Sequence, residues 1–302
     1  MHPTFLAILL EFSRTAVSMS AAGIVLFVIG AFAATRAVAE SRGIEKVVAL
    51  SNLLFAMPLA VFGAEHFAAA KGISQIVPSF VPWHLFWTYF VGCGLVAASL
   101  SIATKIQVQW SGLLFGIMMF LFVAMMDIPG VLSNLHNRIS WTLLFREMSF
   151  GSGGWCLAAL AMDGGRPQGK SKMVTLARVV IGLASILYGV EHFLHPTNVP
   201  GVPLEKFMPA WIPMPTLITY FTGGILLVSG VAILLAKKTR LFATYLGTWI
   251  ALLVVFIYGP ILVAQLLDPS TDAKVEGLNY FFDTMLFAGT ILALAAASPQ
   301  PE

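Results

Sequence analysis

Apolar residues run in long blocks along this chain, and short polar clusters separate the blocks. Many blocks reach the roughly 20 residues that cross a bilayer as a helix. Nine such spans are predicted: Thr15 to Val38, Val47 to Ala70, His84 to Ala103, Val108 to Ile128, Ser140 to Met162, Val174 to Leu194, Thr216 to Ala236, Leu241 to Ala264 and Leu278 to Ala297. The fourth is expected to stop at Pro129-Gly130, because proline breaks the helical hydrogen-bond ladder. Pro3 to Phe12 is apolar but short. It has neither the basic start nor the small-residue cleavage site of a signal peptide. It reads as an interfacial helix leading into the first span.

The polar positions reveal an internal repeat. Gly63-Ala64-Glu65-His66-Phe67 recurs 126 residues later as Gly189-Val190-Glu191-His192-Phe193. Pro82 and Thr88-Tyr89-Phe90 recur 131 residues later as Pro213 and Thr219-Tyr220-Phe221, and Pro129 recurs as Pro260 at the same offset. Glu147 then aligns with Asp283. The fold expected is therefore all-α and polytopic, with about nine transmembrane helices in two four-helix-bundle repeats plus one extra N-terminal helix. Residues 1–43 hold the interfacial segment and first span, 44–163 the first unit, 164–172 a polar linker, and 173–302 the second unit. An even number of spans per unit makes the repeats parallel.

Composition narrows the class further. Of the 302 residues 58% are apolar and 10% charged, and the mean hydropathy is +0.88. A soluble domain carries about 25% charged residues, so the lipid bilayer is the implied partner. The net charge of +3 is too small and dispersed for nucleic acid. Cys93 and Cys156 lie far apart without a C-x-x-C pattern, which excludes thiol–disulfide chemistry and a cysteine-based zinc site. Orientation follows from Lys and Arg. Ten of the 17 fall on one side and five on the other. The richer side is expected to be cytoplasmic in a bacterial inner membrane, with the C-terminus inside and the N-terminus outside.

Candidate chemistry gathers on the outer side. Glu65, His66, Glu191 and His192 fall near outer helix ends. Glu147 and Asp283 are expected roughly 5–10 Å below such ends, at 1.5 Å per residue. Asp127 closes the fourth span, and all six histidines lie on this side. Ionisable groups in hydrocarbon normally face the bundle interior and find partners. One polar pocket per unit is therefore expected, where the Glu-His helix end meets the unit's last helix. His66 and Arg146 would be the partners in the first unit and His192 in the second. His195 is i, i+4 from Glu191, but Ala69 stands at its place in the first unit. Two histidines are too few to indicate a metal. The alternative is that these groups simply reach the headgroup region from helix ends.

The loops at this side carry Pro78, Pro82, Pro209 and Pro213 with interleaved aromatics. Trp83, Trp87, Trp110 and Trp211 read as interface anchors. Gly92, Gly94, Gly151, Gly153, Gly154, Gly223 and Gly224 read as close helix contacts. Arg178 reads as snorkelling to the cytoplasmic interface.

Leu176-Ala177-Arg178-Val179-Val180-Ile181-Gly182, leading to Tyr188-Gly189, resembles the opening helix of the DoxX-like membrane proteins. In that family an opening arginine and two glycines precede a proline-bearing outer loop, a Gly-rich third-span start and a fourth helix opening with an acid. Pro209, Pro213, Gly223-Gly224 and Asp283 match in the second unit. Gly63, Pro78, Pro82, Gly92 and Glu147 match in the first. The resemblance covers about 250 residues. It departs at Asn52, which replaces the arginine, and at Leu95 and Leu226, where the family often has an acid. It implies four-helix units and an association with quinone-linked or redox-linked membrane processes. Quinone is then the implied cofactor, and a redox partner protein would supply electrons, since the chain has no flavin, haem or thiol motif. A binder or transporter of a small apolar or cationic molecule, and an assembly factor without chemistry, are the competing functions.

Overall fold

The computed structural model describes residues 14–167 and 171–300. The segment expected to lie in the interface, Pro3 to Phe12, falls outside them. Described in chain order, α1 is Arg14–Glu40, α2 the short Glu45–Val48, α3 Ser51–Ala68, α4 the short Ala70–Ile73, and α5 His84–Thr104. Next come α6 Val108–Phe122, a π-helical turn Val123–Asp127, α7 Ile128–Ser133 and α8 Arg138–Met162. After the linker follow α9 Lys172–Leu194, α10 Pro215–Leu234, α11 Thr239–Leu253, a second π-turn Val254–Tyr258, α12 Gly259–Leu266 and α13 Thr271–Ala297.

Among the described residues eight helices are long and apolar enough to cross a membrane. The ninth expected span, α8, matches them in length with 25 residues. Arg146, Glu147 and a run of serines and glycines lower its apolar content. It is shielded by neighbours instead: α6 lies along one side, α9 along another and α13 along a third. The most buried span is α13, at 83% of its apolar window, against 28% for α1. Thus α8 and α13 form the centre, and α1 lies outside against α3.

Tight turns explain the element boundaries. Lys105 and Gln107 adopt positive φ between α5 and α6, and Ala236 and Lys238 do so between α10 and α11. Asn137 caps α8 by accepting from the Ile139 amide, and Ser270 caps α13 from the Ala273 amide. The fourth span does not stop at Pro129-Gly130 as expected. Proline cannot donate a backbone hydrogen bond, and its ring crowds the carbonyl four residues back. The π-turn before Pro129 loosens the register by one residue, so the helix passes through to Ser133. The same device precedes Pro260.

Local packing repeats at matched positions in the two halves. A Cβ on Gly92 would lie 2.9 Å from the His66 Cβ, and one on Gly223 would lie 2.9 Å from the His192 Cβ. Phe67 stacks on Tyr89 at 5.9 Å, and Phe193 on Tyr220 at 5.6 Å. Gly94 and Gly224, by contrast, face open space rather than a neighbouring helix.

The pairing of first and last helices departs from a closed bundle per unit. In the first half α3 packs on α5 and α6 on α8, while α3 and α8 are not packed along their length and meet locally where Phe55 reaches Gly153. Instead α3 packs on α13 of the second half, and α9 packs on α8 of the first. The α3–α13 contact is close enough that a Cβ on Gly289 would sit 2.6 Å from the Phe55 nitrogen. The two halves are thus clasped crosswise about the α8–α13 pair.

Candidate functional site

The crosswise packing decides where the expected site residues meet. The Arg146 guanidinium donates to Glu147 Oε1 from Nε at 3.1 Å and Nη2 at 2.7 Å, and to Asp283 Oδ2 from Nη1 at 2.8 Å. All three side chains are 13–18% exposed. Glu65 accepts from Asn279 Nδ2 on α13 at 3.0 Å. Glu191 pairs with Arg138 on α8 at 3.2 Å, and His195 Nε2 lies 3.7 Å from the same carboxylate.

The expectation of one separate pocket per unit is therefore corrected. Glu65 and Glu191 each find their partner on the other half's last helix, because those are the helices they pack against. Arg146 joins the first half's last helix to the second half's. Neither histidine serves as a carboxylate partner in the way expected. His66 Nδ1 donates to the Phe62 carbonyl at 2.8 Å, and His192 Nδ1 to the Tyr188 carbonyl at 2.6 Å. Both satisfy their own helix one turn back. The depths also differ from expectation. Asp283 lies twelve residues into α13 and Glu147 nine into α8, or about 18 and 14 Å along their axes. The last span begins earlier than its hydropathy suggests, at Thr271 rather than Leu278.

Asp127 joins this cluster from the first π-turn. It lies within electrostatic reach of Arg146 and Glu147. Its buried Oδ2 has no hydrogen-bond partner among the described residues. A π-turn displaces side chains from the α-helical register and recurs at functional sites. Glu65 in turn acts on Asp283. The Arg146 guanidinium thus holds Glu147 and Asp283 directly, with Asp127 near the first and Glu65 near the second. Such a site has the capacity to take up protons, a cation or the polar head of a larger molecule. Among the described residues no three His, Cys, Asp or Glu side chains are grouped as a metal site requires.

The matched place in the second half is filled. Tyr258 stands where Asp127 stands in the first. The 198–207 loop folds inward there, closed by a bridge between Asn198 and Phe207. Val199 and Val202 are buried in the core. The Gly201 amide donates to His192 Nε2 at 2.9 Å. Gly201 has φ +122°, and a Cβ on it would meet Thr284 at 3.1 Å and the Tyr258 hydroxyl at 3.4 Å. Arg138 Nη2 and Asn198 Nδ2 both donate to the Leu204 carbonyl, and Lys206 pairs with Glu276 at 2.7 Å.

Sequence reading missed Arg138, Asn279 and Gly201, and placed Asp127 at a span end without joining it to the acids. The one available signal for the loop was the growth of the repeat offset from 126 to 131 residues, an insertion of five. At the opposite end Arg178 does not simply reach for the interface. Its Nη1 donates to the Ile233 carbonyl at 2.9 Å and the Leu234 carbonyl at 2.5 Å, at the end of α10.

Fold and buried ion cluster together define an all-α, polytopic integral membrane protein whose apolar helices contact the bilayer. Comparisons with family models, with curated proteins and with solved structures found no match.

Proposed function

We propose that this chain is a DoxX-like subunit of a bacterial inner membrane, built from two copies of a four-helix unit, that holds the polar head of a quinone on its outer side. The reading rests on one observation above all. Asp127 Oδ2 is buried without a hydrogen-bond partner among the described residues, within electrostatic reach of Arg146 and Glu147, in the half that lacks the inserted loop. A quinone has an apolar body suited to the surrounding helices and carbonyls suited to a guanidinium. Electrons would come from a partner protein. The orientation that goes with this reading places the Arg178 end in the cytoplasm. A reporter fused after Glu302 would then be active only inside.

The test is extraction of quinone from protein purified in mild detergent. The expected result is roughly one quinone per chain, falling at least tenfold in Asp127→Asn and Glu147→Gln with the fold retained. Wild-type protein free of quinone, with no effect on quinone reduction in membranes, would sink this reading.

A second reading is favoured by the excess of acids. Asp127, Glu147 and Asp283 outnumber the one guanidinium beside them, which suits the uptake of a small cation. Vesicle flux that responds to Asp127→Asn across a panel of organic and inorganic cations would select it over the first.

A further inference from the structure

The end of the molecule opposite the acids carries a cavity of about 330 Å³. It lies where the end of α10 turns into α11, against the start of α9 and the end of α13. Its walls include Thr175, Arg178, Lys238, Thr239, Arg240 and Ser298, and among the described residues no acidic side chain lines it.

The three cations are engaged to different degrees. Arg240 is spoken for: it pairs with Glu45 at 2.6 Å and donates to the Ala295 and Ser298 carbonyls. Arg178 spends only Nη1 on the α10 carbonyls. Its Nε and Nη2, and the exposed Lys238 ammonium, have no partner among the described residues. Free guanidinium and ammonium donors converging with two threonine hydroxyls match the oxygens of a phosphate group. The cavity sits at helix ends, where lipid headgroups lie, and basic pockets between spans are typical headgroup sites.

The first half supplies an internal control. Asn52 stands where Arg178 stands and donates to the Ile102 carbonyl at 3.0 Å, the counterpart of Ile233. Gln107, Val108 and Gln109 stand at the places of Lys238, Thr239 and Arg240. The architecture is thus kept with one cation, Lys105 at the place of Ala236, where the second half's cavity has three. Capping the preceding helix requires a donor, and Asn52 provides it. The cationic version in the second half does something more.

We propose that this cavity binds the phosphate of an anionic phospholipid, and that only the second half does so. The experiment is native mass spectrometry of the full chain released from nanodiscs containing phosphatidylglycerol and phosphatidylcholine. The expected result is one retained phosphatidylglycerol per chain. The doubly substituted Arg178→Asn, Lys238→Gln protein, carrying the residues of the first half, should retain at least tenfold less and melt within a few degrees of wild type. The reciprocal Asn52→Arg, Gln107→Lys protein should gain a second retained lipid. Displacement by millimolar inorganic phosphate as readily as by short-chain phosphatidylglycerol would identify free phosphate, not lipid, as the source of the bound group. Retention equal in wild type and the Asn, Gln protein, or equal retention of phosphatidylcholine, would overturn the proposal.

Discussion

At the acid-bearing end, the two halves treat the same position in opposite ways. In the first, His66 Nε2 has no partner among the described residues, and Asp127 Oδ2 is buried but unsatisfied. In the second, His192 accepts from Gly201, and Tyr258 lies beneath the inserted loop. The helix scaffold is otherwise matched down to the π-turns and stacked aromatics. Five inserted residues therefore separate a half whose Asp127 Oδ2 lacks a partner from one whose matched position lies under a loop. Matched packing can thus carry different polar contacts in its two copies.

The largest effect is expected where the halves are joined. Arg146→Ala leaves Glu147 and Asp283 without their shared cation. Removing one partner of a buried ion pair costs about 3–5 kcal/mol. Chemical denaturation in detergent micelles should show that loss, and a variant as stable as wild type would mean the cluster is not a clasp. Next comes Gly201→Ala. A Cβ at φ +122° is strained by about 1–3 kcal/mol and crowds Thr284 and Tyr258. The loop should loosen and the second half come to resemble the first. Histidine-directed acylation read by mass spectrometry should modify His66 but spare His192 in wild type, and modify both in the variant. Equal labelling in wild type would erase the contrast between the halves.

Smaller effects should rank the two glutamates. Glu191→Gln removes a charged bond to Arg138, worth about 1.5–3 kcal/mol, whereas Glu65→Gln weakens a bond to a neutral amide, worth about 0.5–1.5 kcal/mol. Thermal melts of both variants in one detergent would check the order. A reversed order would show that Glu65 carries load that its Asn279 contact does not explain.

The span positions were legible because apolar length is a property of each segment by itself. The acids were legible for the same reason, since an ionisable residue inside an apolar run stands out. Their partners were not. Hydropathy says nothing about which helix α3 lies against, so Glu65 was assigned to its own half when Asn279 lies 214 residues away. Nor does α13 announce its first two turns, where Asp272, Lys274 and Glu276 hide a helix that continues into the core. The π-turns are silent too, since Pro129 and Pro260 look like stops until the loosened register lets the helix pass.

Crosswise packing also bears on how the chain is made. Synthesis runs from α1 to α13, so α3 enters the bilayer long before the helix it leans on exists. Glu65 must wait for Asn279, and Arg146 for Asp283, until the last span leaves the ribosome. The centre of the protein is therefore assembled last. Until then the insertion machinery, or a transient companion, has to shelter a guanidinium and several carboxyl groups from lipid.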